Sequence, residues 1–455
     1  MKDDQDIYKL LGTLFLRIDQ LERENNSLHV KVAQLTDRLT KHETPKDSGN
    51  SSKPPSSDFP KPKKTQSLRE TSGKKLGGQP GHKGNTLQMA ETPDVVKELK
   101  PEHCSSCGCT FTGHHFVDAG RRQVIDIPPI HPIVTEYRVF KAICNCGHET
   151  VAKFPENVAT PVSYGVNIQA LVAYLSVRQY MTVARIAEFF GSVMNQKIST
   201  GGVCYLLEKS KRKSEPHYEY IRQFVLDSPI VGADETGVNI NGKNHWAWVF
   251  QSPLATFLNI HKSRGLKAIN EIMPEGFENS VLVTDCWASY FKGLITLHQL
   301  CTAHLMRELK YFGQLYPQNN WSGRMLGLIQ NAIELRKKEL LSPNKIEEIK
   351  RTFTLLRDEP IDHKFKELIT FQKRMVKYSD HVFYFLDNPE VPPDNNGSER
   401  ALRNFKVKQK VSGLFRSIGG AEIFATLRSV VDTAIKQGQN PYEKLLSILM
   451  PIPTE

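Results

Sequence analysis

The sequence predicts an α/β multidomain protein in which a coiled coil, a small cysteine-rich module and a helical domain precede an α/β core with a helical insertion. Three observations carry this prediction. Leucines recur every seven residues near the N-terminus, and five of the eight cysteines fall between residues 104 and 146. Strand-like segments begin at residue 229, and a long helical pattern separates them from the last part of the chain.

The composition favours a polyanionic partner, with nucleic acid as the first candidate. The 455 residues leave room for about three domains of roughly 150 residues each. Lysine and arginine number 60 against 49 aspartates and glutamates, which gives a net charge of +11. No apolar run approaches the roughly 20 residues of a membrane helix, and the start MKDDQD lacks the features of a signal peptide. We therefore expect a cytosolic protein with reduced thiols and no membrane partner.

Residues 1–43 contain a heptad repeat that predicts a leucine-zipper-like coiled coil. The d positions are filled by Leu14, Leu21, Leu28 and Leu35. A single asparagine, Asn25, occupies an a position, and Arg17 at g can reach Glu22 at e of a partner helix. This pattern favours a parallel two-stranded coil, and hence self-association to at least a dimer. The alternative is an amphipathic helix packed on its own domain.

Residues 44–87 form a predicted basic linker rich in proline, glycine and serine, with the segments NSSKPPSSD and GGQPGHKG. From Lys53 to Lys83 it contains eight cations against two acids, Asp58 and Glu70. Such a composition does not build a core. The segment is either a solvated linker or a flexible arm that lies on phosphates.

Residues 88–158 contain a cysteine cluster that predicts a small zinc-binding module. One pair has CxxC spacing and the other CxC spacing, and the predicted ligands are Cys104, Cys107, Cys144 and Cys146. Four thiolates close a tetrahedral site for one structural Zn²⁺, which stabilises a unit too small to fold alone. Because the second pair is irregular, Cys109 or His148 could replace a ligand, and four unrelated core cysteines are the alternative. Between the pairs, RRQVIDIPPIHPIVTEYRVFKAI alternates like paired strands.

Residues 159–222 are predicted to form a helical domain. NIQALVAYLSVRQY and TVARIAEFFG are apolar at helical spacing, and STGGVCYLLEKSKRK follows them. Two helices separated by a short break at Gly191 could form a helix-turn-helix that binds DNA. Plain packing of a helical bundle is the alternative.

Residues 223–304 predict the first part of a ribonuclease-H-like core. PIVGADETGVNI and NHWAWVFQS are strand-like and are joined by NGKN, which suits a hairpin turn, and ATFLNIHKS gives a third strand. The helical segment GLKAINEIM and two further strands follow. Asp234 lies on the first strand and Asp285 at the end of the fourth, and these strands are neighbours in this topology. The two carboxylates can therefore meet.

Two carboxylates so placed have an electrostatic cost that needs a reason. Like charges about 4 Å apart repel by roughly 4 kcal/mol at an effective dielectric of about 20. A structural protein would avoid this repulsion, whereas a site that captures divalent metal requires it. A turn-capping role for each aspartate alone is the ordinary alternative.

Residues 305–390 predict a helical insertion, and residues 391–455 predict the last part of the core with a basic C-terminal segment. Ser398 resembles a helix N-cap, and Glu399 falls in the first turn of that helix. If the helix returns to the sheet, Glu399 becomes a third acid, and three carboxylates can hold two Mg²⁺ or Mn²⁺ ions. The alternative is that Glu399 merely favours the helix dipole.

With these residues in place, the chain resembles transposases of the insertion-sequence-66 family. The shared motifs include GGQPGHKG, ADETG, VTDCWASY, CTAHLMREL, DNNGSERALR and KVKQKVSGLFRS. The resemblance implies a DDE transposase that uses Mg²⁺ to cut element ends and join them to target DNA, in the bacterial cytoplasm at the nucleoid. The family's acids correspond to Asp234, Asp285 and Glu399. Small accessory proteins of the same element are possible partners.

Several other residues are candidates for contact with double-stranded DNA, at the element ends and at the target. They are His304, Arg400, Arg403, Lys406, Lys408 and Lys410. The three lysines alternate, which predicts one cationic face on an extended segment. His304 either contacts DNA near the metals or packs under the sheet. Trp246 and Trp248 share one face of a strand, where core packing is favoured over stacking on a base.

Two other classes of function compete with the transposase. One is a nonenzymatic, zinc-dependent DNA-binding protein, which would show no metal-dependent cleavage. The other is a ribonuclease-H-like nuclease that cuts without joining.

Overall fold

The computed structural model describes residues 2–47, 81, 87–113, 115–155, 158, 160–292 and 295–450. Most of the predicted linker, with the eight cations from Lys53 to Lys83, lies outside these residues. Along the described chain, a long helix and a cysteine-containing segment precede three helices, a mixed sheet, a helical insertion and three final helices. No helix among the described residues is long and apolar enough to cross a membrane.

The N-terminal element is one long helix, α1 (Lys2–Glu43). The exposed fraction of the four heptad leucines runs from 48% at Leu21 to 60% at Leu35. Two contacts with the insertion lie at the far end, where Lys41 pairs with Glu367 at 3.1 Å and Lys46 lies over a tyrosine ring. The leucine stripe of α1 is thus about half exposed in the described chain.

The cysteine-containing segment forms tight turns and a short hairpin. β1 (Lys141–Ile143) pairs antiparallel with β2 (Glu149–Val151), and the CxC pair lies between them. The prediction of paired strands over residues 121–143 is wrong except for the last three residues, since 121–140 has no strand. The prolines of IPPIHP explain the difference, because proline has no N–H to donate to a ladder.

Three helices follow: α2 (Val166–Val177), α3 (Val183–Val193) and α4 (Thr200–Leu226). The predicted break at Gly191 is wrong, because α3 continues through that residue to Val193. Residues 194–199 then lead into α4, where the Ser199 hydroxyl accepts a hydrogen bond from the Gly202 N–H at 3.0 Å. The three helices pack on one another, and α4 also packs on the sheet.

The sheet contains β3 (Ile230–Ile240), β4 (Lys243–Gln251), β5 (Thr256–His261), β6 (Phe277–Thr284) and β7 (Ile295–Leu300), with α5 (Leu266–Ile272) between β5 and β6. Its strand order is β5-β4-β3-β6-β7. The first three strands are antiparallel, and β6 runs parallel to both β3 and β7. The predicted order of three antiparallel strands, a helix and further strands is confirmed. The predicted hairpin turn is confirmed at Asn241 and Gly242, where both φ angles are positive.

The insertion after β7 is helical, as predicted. It contains α6 (Thr302–Leu315), α7 (Trp321–Lys337), α8 (Pro343–Asp358), α9 (Lys366–Lys377) and α10 (Tyr384–Asp387). These helices share a hydrophobic core with β6 and β7, separate from the core that joins α2–α4 to the sheet. The two ends of the insertion are pinned together. Thr302 donates to the Pro393 carbonyl from its N–H at 2.9 Å and from its hydroxyl at 2.8 Å.

Three helices complete the chain: α11 (Asn396–Ser412), α12 (Ile418–Lys436) and α13 (Pro441–Leu449). The N-cap position of α11 is occupied by Asn395, so Ser398 lies inside the helix, and its prediction as the N-cap is wrong. The prediction of an extended segment through Lys406, Lys408 and Lys410 is also wrong, since all three lie on α11. In α12 one face packs on β5 and on α4.

Candidate active site

Asp234 and Asp285 lie at the same level on two neighbouring strands. In the parallel pairing of β3 with β6, Ile230 faces Val281 and Gly232 faces Val283, an offset of 51 residues. The same offset links Asp234 to Asp285, which directly follows β6. Neighbouring strands are about 4.8 Å apart, so the two backbones are close at this level. The Asp285 Oδ1 atom also accepts a hydrogen bond from the Trp287 N–H at 2.9 Å.

Glu399 reaches this level because the start of α11 docks on β3. The Asn395 side chain donates to the Ala233 carbonyl at 2.7 Å, and its Oδ1 atom accepts from the Ser398 hydroxyl at 2.6 Å. Gly232 permits this approach, since a Cβ there would lie 2.6 Å from Asn395 Oδ1. Gly232 and Asp234 are two residues apart and point to the same face. The helix that contains Glu399 therefore lies on the Asp234 face of the sheet.

The Glu399 carboxylate lies among two arginines and a histidine in this structure. Its Oε1 atom accepts from Arg307 at 3.1 Å and lies 3.7 Å from His304 Nε2, and its Oε2 atom lies 3.7 Å from Arg403. Its side chain is 17% exposed. Glu399 is therefore stabilised by side-chain contacts in addition to the helix dipole.

The electrostatics of Asp234 indicate that several acids share one small region. Burial raises the pKa of the Asp234 carboxyl well above its usual range, and the nearby carboxylates of Glu235, Asp285 and Glu399 raise it further. Such repulsion is relieved by a cation, and hard carboxylate oxygens suit Mg²⁺. Among the described residues, no three His, Cys, Asp or Glu side chains are spaced to hold a metal ion as they stand. The donor chemistry fits a divalent cation, and its binding would require the side chains to converge.

Sequence reasoning missed Glu235, a fourth acid beside the predicted three. Its side chain is only 2% exposed, and it is held by Arg264 and by the Tyr290 hydroxyl. Burial raises the pKa of Glu235 to about 7, although the Tyr290 hydrogen bond opposes this shift. The signal available in the sequence was a second acid on a strand, in ADETG, where alternation buries one of the two side chains on each face.

His304 packs beside Glu399 in the first turns of α6. Its side chain is 14% exposed, and its buried Nδ1 atom has no hydrogen-bond partner in the described residues. Burial lowers the pKa of His304, and the Arg307 charge lowers it further. A neutral imidazole next to the acids is compatible with both expected roles, which are DNA contact near the metals and packing under the sheet.

The predicted cations on α11 divide into two groups. Arg400, Arg403 and Lys410 are exposed. By contrast, Lys406 Nζ donates to the Gly237 carbonyl at 2.5 Å, and Lys408 Nζ donates to the Ser176 and Met181 carbonyls at 3.1 and 2.8 Å. Burial lowers the pKa of Lys406 and lowers that of Lys408 to about 8. The structure thus gives Lys406 and Lys408 an internal role, holding α11 to β3 and to the helical domain.

Each cysteine pair sits in its own tight turn. The Cys104 N–H donates to the Cys109 carbonyl at 2.8 Å, and the Cys144 N–H donates to the His148 carbonyl at 2.8 Å. Hydrogen bonds from the Cys109 backbone and the Cys104 thiol lower the pKa of Cys107. Hydrogen bonds from the Cys146 backbone and thiol lower the pKa of Cys144. Such turns favour thiolates, although in the described residues the two pairs do not form one metal-binding group.

The two tryptophans of β4 pack as expected. Trp248 is fully buried, and Trp246 is partly buried against the same core. The preference for core packing over base stacking is therefore confirmed.

Fold and site together define an α/β protein in which acids from two adjacent strands and a later helix gather on one sheet. Residues 161–423, more than half of the chain, match the Transposase IS66 family, and the chain belongs to that family. Membership makes it a protein of the DNA-cleaving and DNA-joining kind, and implies that it binds DNA. Residues 13–88 match a second family, DUF6444, a family of unknown function. A comparison with curated proteins found no match.

Proposed function

We propose that this protein is a DDE transposase that binds the terminal inverted repeats of an insertion sequence and catalyses Mg²⁺-dependent strand cleavage and strand transfer. The observation that carries the proposal is the placement of Asp234 level with Asp285, with Glu399 within electrostatic reach of Asp234. The sheet order, and the insertion between β7 and the helix that contains the third acid, support a ribonuclease-H-like core.

The three acids would hold two Mg²⁺ or Mn²⁺ ions, which supply an activated attacking oxygen and stabilise the leaving oxygen of a phosphodiester. The contribution of the chain is to hold the carboxylates on rigid elements. β3 and β6 fix the two aspartates, and Asn395 fixes the start of α11. Arg307 contacts Glu399 and must yield for that carboxylate to converge on the aspartates.

The DNA partners would be the element ends and the target. Arg400, Arg403 and Lys410 remain candidates for phosphate contacts, because they are exposed on the helix that begins with the third acid. His304 would act near the metals. Lys406 and Lys408 are not proposed as DNA contacts, because both donate hydrogen bonds to backbone carbonyls of the protein itself. A helix-turn-helix in α3 and α4 would add a second DNA contact.

The N-terminal parts would organise the assembly. α1 would pair with a second copy as a coiled coil, and Cys104, Cys107, Cys144 and Cys146 would converge on one structural Zn²⁺ in the folded module. The protein would act at the bacterial nucleoid, together with small accessory proteins of the same element. Metal analysis of purified protein should give about one zinc per chain; an intact fold without zinc would contradict the zinc module.

Replacement of single acids tests the catalytic proposal. We expect Asp234→Asn, Asp285→Asn and Glu399→Gln each to lower strand transfer by at least about a thousandfold and to leave DNA binding largely intact. Asp227→Asn is the matched control, because that carboxylate is exposed at the end of α4. A Glu399→Gln protein that works at full rate would remove the third acid from the site.

The same assay separates the competing functions. Element ends already cut, with a free 3′-hydroxyl, are supplied together with target DNA and Mg²⁺. Joined product supports the transposase, and cleavage without joining supports a nuclease. Binding without either reaction supports a nonenzymatic DNA-binding protein.

A further inference from the structure

Glu235 lies on the face of the sheet opposite Asp234. Adjacent residues of a strand point to opposite faces. In the β3–β4 pairing Glu235 faces Trp248 and Gly237 faces Trp246, so Glu235 shares its face with both tryptophans. Its surroundings are therefore aromatic, while the Asp234 face meets α11.

Two donors fix the buried Glu235 carboxylate. The Arg264 guanidinium contacts Oε1 through its Nε at 2.7 Å and a terminal nitrogen at 2.6 Å, and the Tyr290 hydroxyl donates to Oε2 at 2.5 Å. The Arg264 guanidinium also lies over two indole rings, 4.9 Å from the Trp246 ring centre and 4.4 Å from that of Trp287.

Both donors connect Glu235 to the loop that contains Asp285, because Tyr290 belongs to this loop and Arg264 contacts Trp287 within it. Tyr290 lies in the short 3₁₀ helix, Ala288–Phe291, that forms the end of this loop, and Trp287 packs edge-on against Tyr290 with ring centres 5.6 Å apart. The Trp287 N–H donates to Asp285 Oδ1 at 2.9 Å. A continuous path of contacts thus runs from Glu235 through Tyr290 and Trp287 to the Asp285 carboxylate.

We infer that Glu235 is a positioning residue for the metal site: with Arg264 and Tyr290 it holds the loop from Asp285 to Phe291 and so orients the Asp285 carboxylate. This inference rests on the proposed function of Asp285 as a metal ligand. A buried ion pair such as that of Glu235 with Arg264 adds little stability over an apolar pair in the same place. Residues that orient ligands in this way typically change metal affinity by about 10- to 100-fold when replaced.

The test compares Glu235→Gln and Tyr290→Phe with the wild-type chain. Glutamine keeps the size of the side chain and loses the charge that attracts Arg264, and phenylalanine keeps the ring and loses the hydroxyl. Glu275→Gln is the matched control, because Glu275 also forms a two-contact pair with an arginine, Arg222, at 2.8 and 2.9 Å, away from the acids.

Two readouts are needed. Tb³⁺ luminescence excited through tryptophan reports an ion bound near Trp287, and competition with Mg²⁺ gives the Mg²⁺ affinity. Strand cleavage is then measured across a range of Mg²⁺ concentrations. We expect Glu235→Gln to weaken Tb³⁺ and Mg²⁺ binding by roughly tenfold and Tyr290→Phe by roughly threefold, with Glu275→Gln unchanged. At saturating Mg²⁺ the cleavage rate of both variants should return to within about threefold of wild type.

Unchanged metal affinity in both variants would overturn the inference, and so would a lost rate that no concentration of Mg²⁺ restores. If Glu235→Gln does not fold, Tyr290→Phe decides the question by the same criteria. The proposed function fails separately, if Asp234→Asn and Asp285→Asn bind Tb³⁺ and cut DNA as the wild-type chain does.

Discussion

Lysines on the same helix have different roles in this protein, depending on whether the side chain is buried or exposed. Lys408 and Lys410 are two positions apart on α11. Lys408 is largely buried and donates to the Ser176 and Met181 carbonyls, whereas Lys410 is exposed. A helix turns about 100° per residue, so residues two apart point in different directions.

Replacing each of these lysines by methionine separates stability from DNA binding. We expect Lys408→Met to lower the free energy of unfolding by about 1–3 kcal/mol, because two part-buried carbonyls, of Ser176 and Met181, lose their donor. Lys410→Met should leave stability within about 0.5 kcal/mol of wild type. DNA affinity should respond in the reverse order, and Lys410→Met should reduce its dependence on salt. Urea unfolding and salt-dependent binding measure both effects; equal responses from the two variants would contradict the division.

Lys436 provides a pH-dependent measure of burial. Its ammonium donates to Gln251 Oε1 and to the Ser252 and Ala255 carbonyls, and burial lowers its pKa from 10.5 to about 7. Between these two values the unfolded chain binds more protons than the folded chain, so stability should rise with pH across this window.

We expect the stability of the wild-type chain relative to Lys436→Met to increase from about pH 7.5 to about pH 9.5, by up to about 1.4 kcal/mol per pH unit. Other titrating groups are common to both proteins and cancel in the comparison. Urea midpoints followed by tryptophan fluorescence give the difference. A difference that is constant across this range would mean that the ammonium is not held in a buried place.

At the scale of elements, one close approach places the third acid. The start of α11 can reach β3 only where a side chain is missing, at Gly232. We expect Gly232→Ala to push Asn395 and Ser398 away and to lower strand transfer by at least about a hundredfold, since a misplacement of about 1 Å in a catalytic group is enough for this. Gly327→Ala is the control, because a Cβ at Gly327 meets nothing within 4 Å. A Gly232→Ala chain with wild-type transfer would show that this docking does not position Glu399.

The elements themselves were predictable wherever periodicity and turn chemistry agreed. Alternation and the Asn241–Gly242 turn predicted the hairpin, and helical spacing predicted the insertion. The failures have local causes: prolines stop the pattern of residues 121–140, and a glycine inside α3 does not end a helix that packing stabilises. The alternation of three lysines was a chance pattern on α11, which buries Leu402 and Phe405 at helical spacing.

At the scale of the whole molecule, hydrogen bonds join the two ends of the insertion, and the heptad leucines of α1 form an exposed stripe. Leucines about half exposed along one helix form an apolar surface that a second copy can cover. We expect wild-type protein to be dimeric or larger and the double variant Leu21→Lys, Leu28→Lys to be monomeric, because paired lysines at d positions repel. Sedimentation measures the mass. The control Arg17→Lys keeps the charge at g and should remain associated. If the double lysine variant stays dimeric, the interface lies elsewhere.

The sequence by itself determined most of the elements and their order, because strand and helix patterns and turn residues are local properties, and it predicted the three acids that we propose as metal ligands. It could not determine which side chains serve the site and which serve the fold. Glu235, Tyr290 and Arg264 meet across a loop, and Asn395 meets β3 across the whole insertion. These contacts join residues 29, 55 and 162 positions apart in the chain. Only the packing of the sheet against its loops and helices brings such distant groups within hydrogen-bond distance, and no local pattern records that packing.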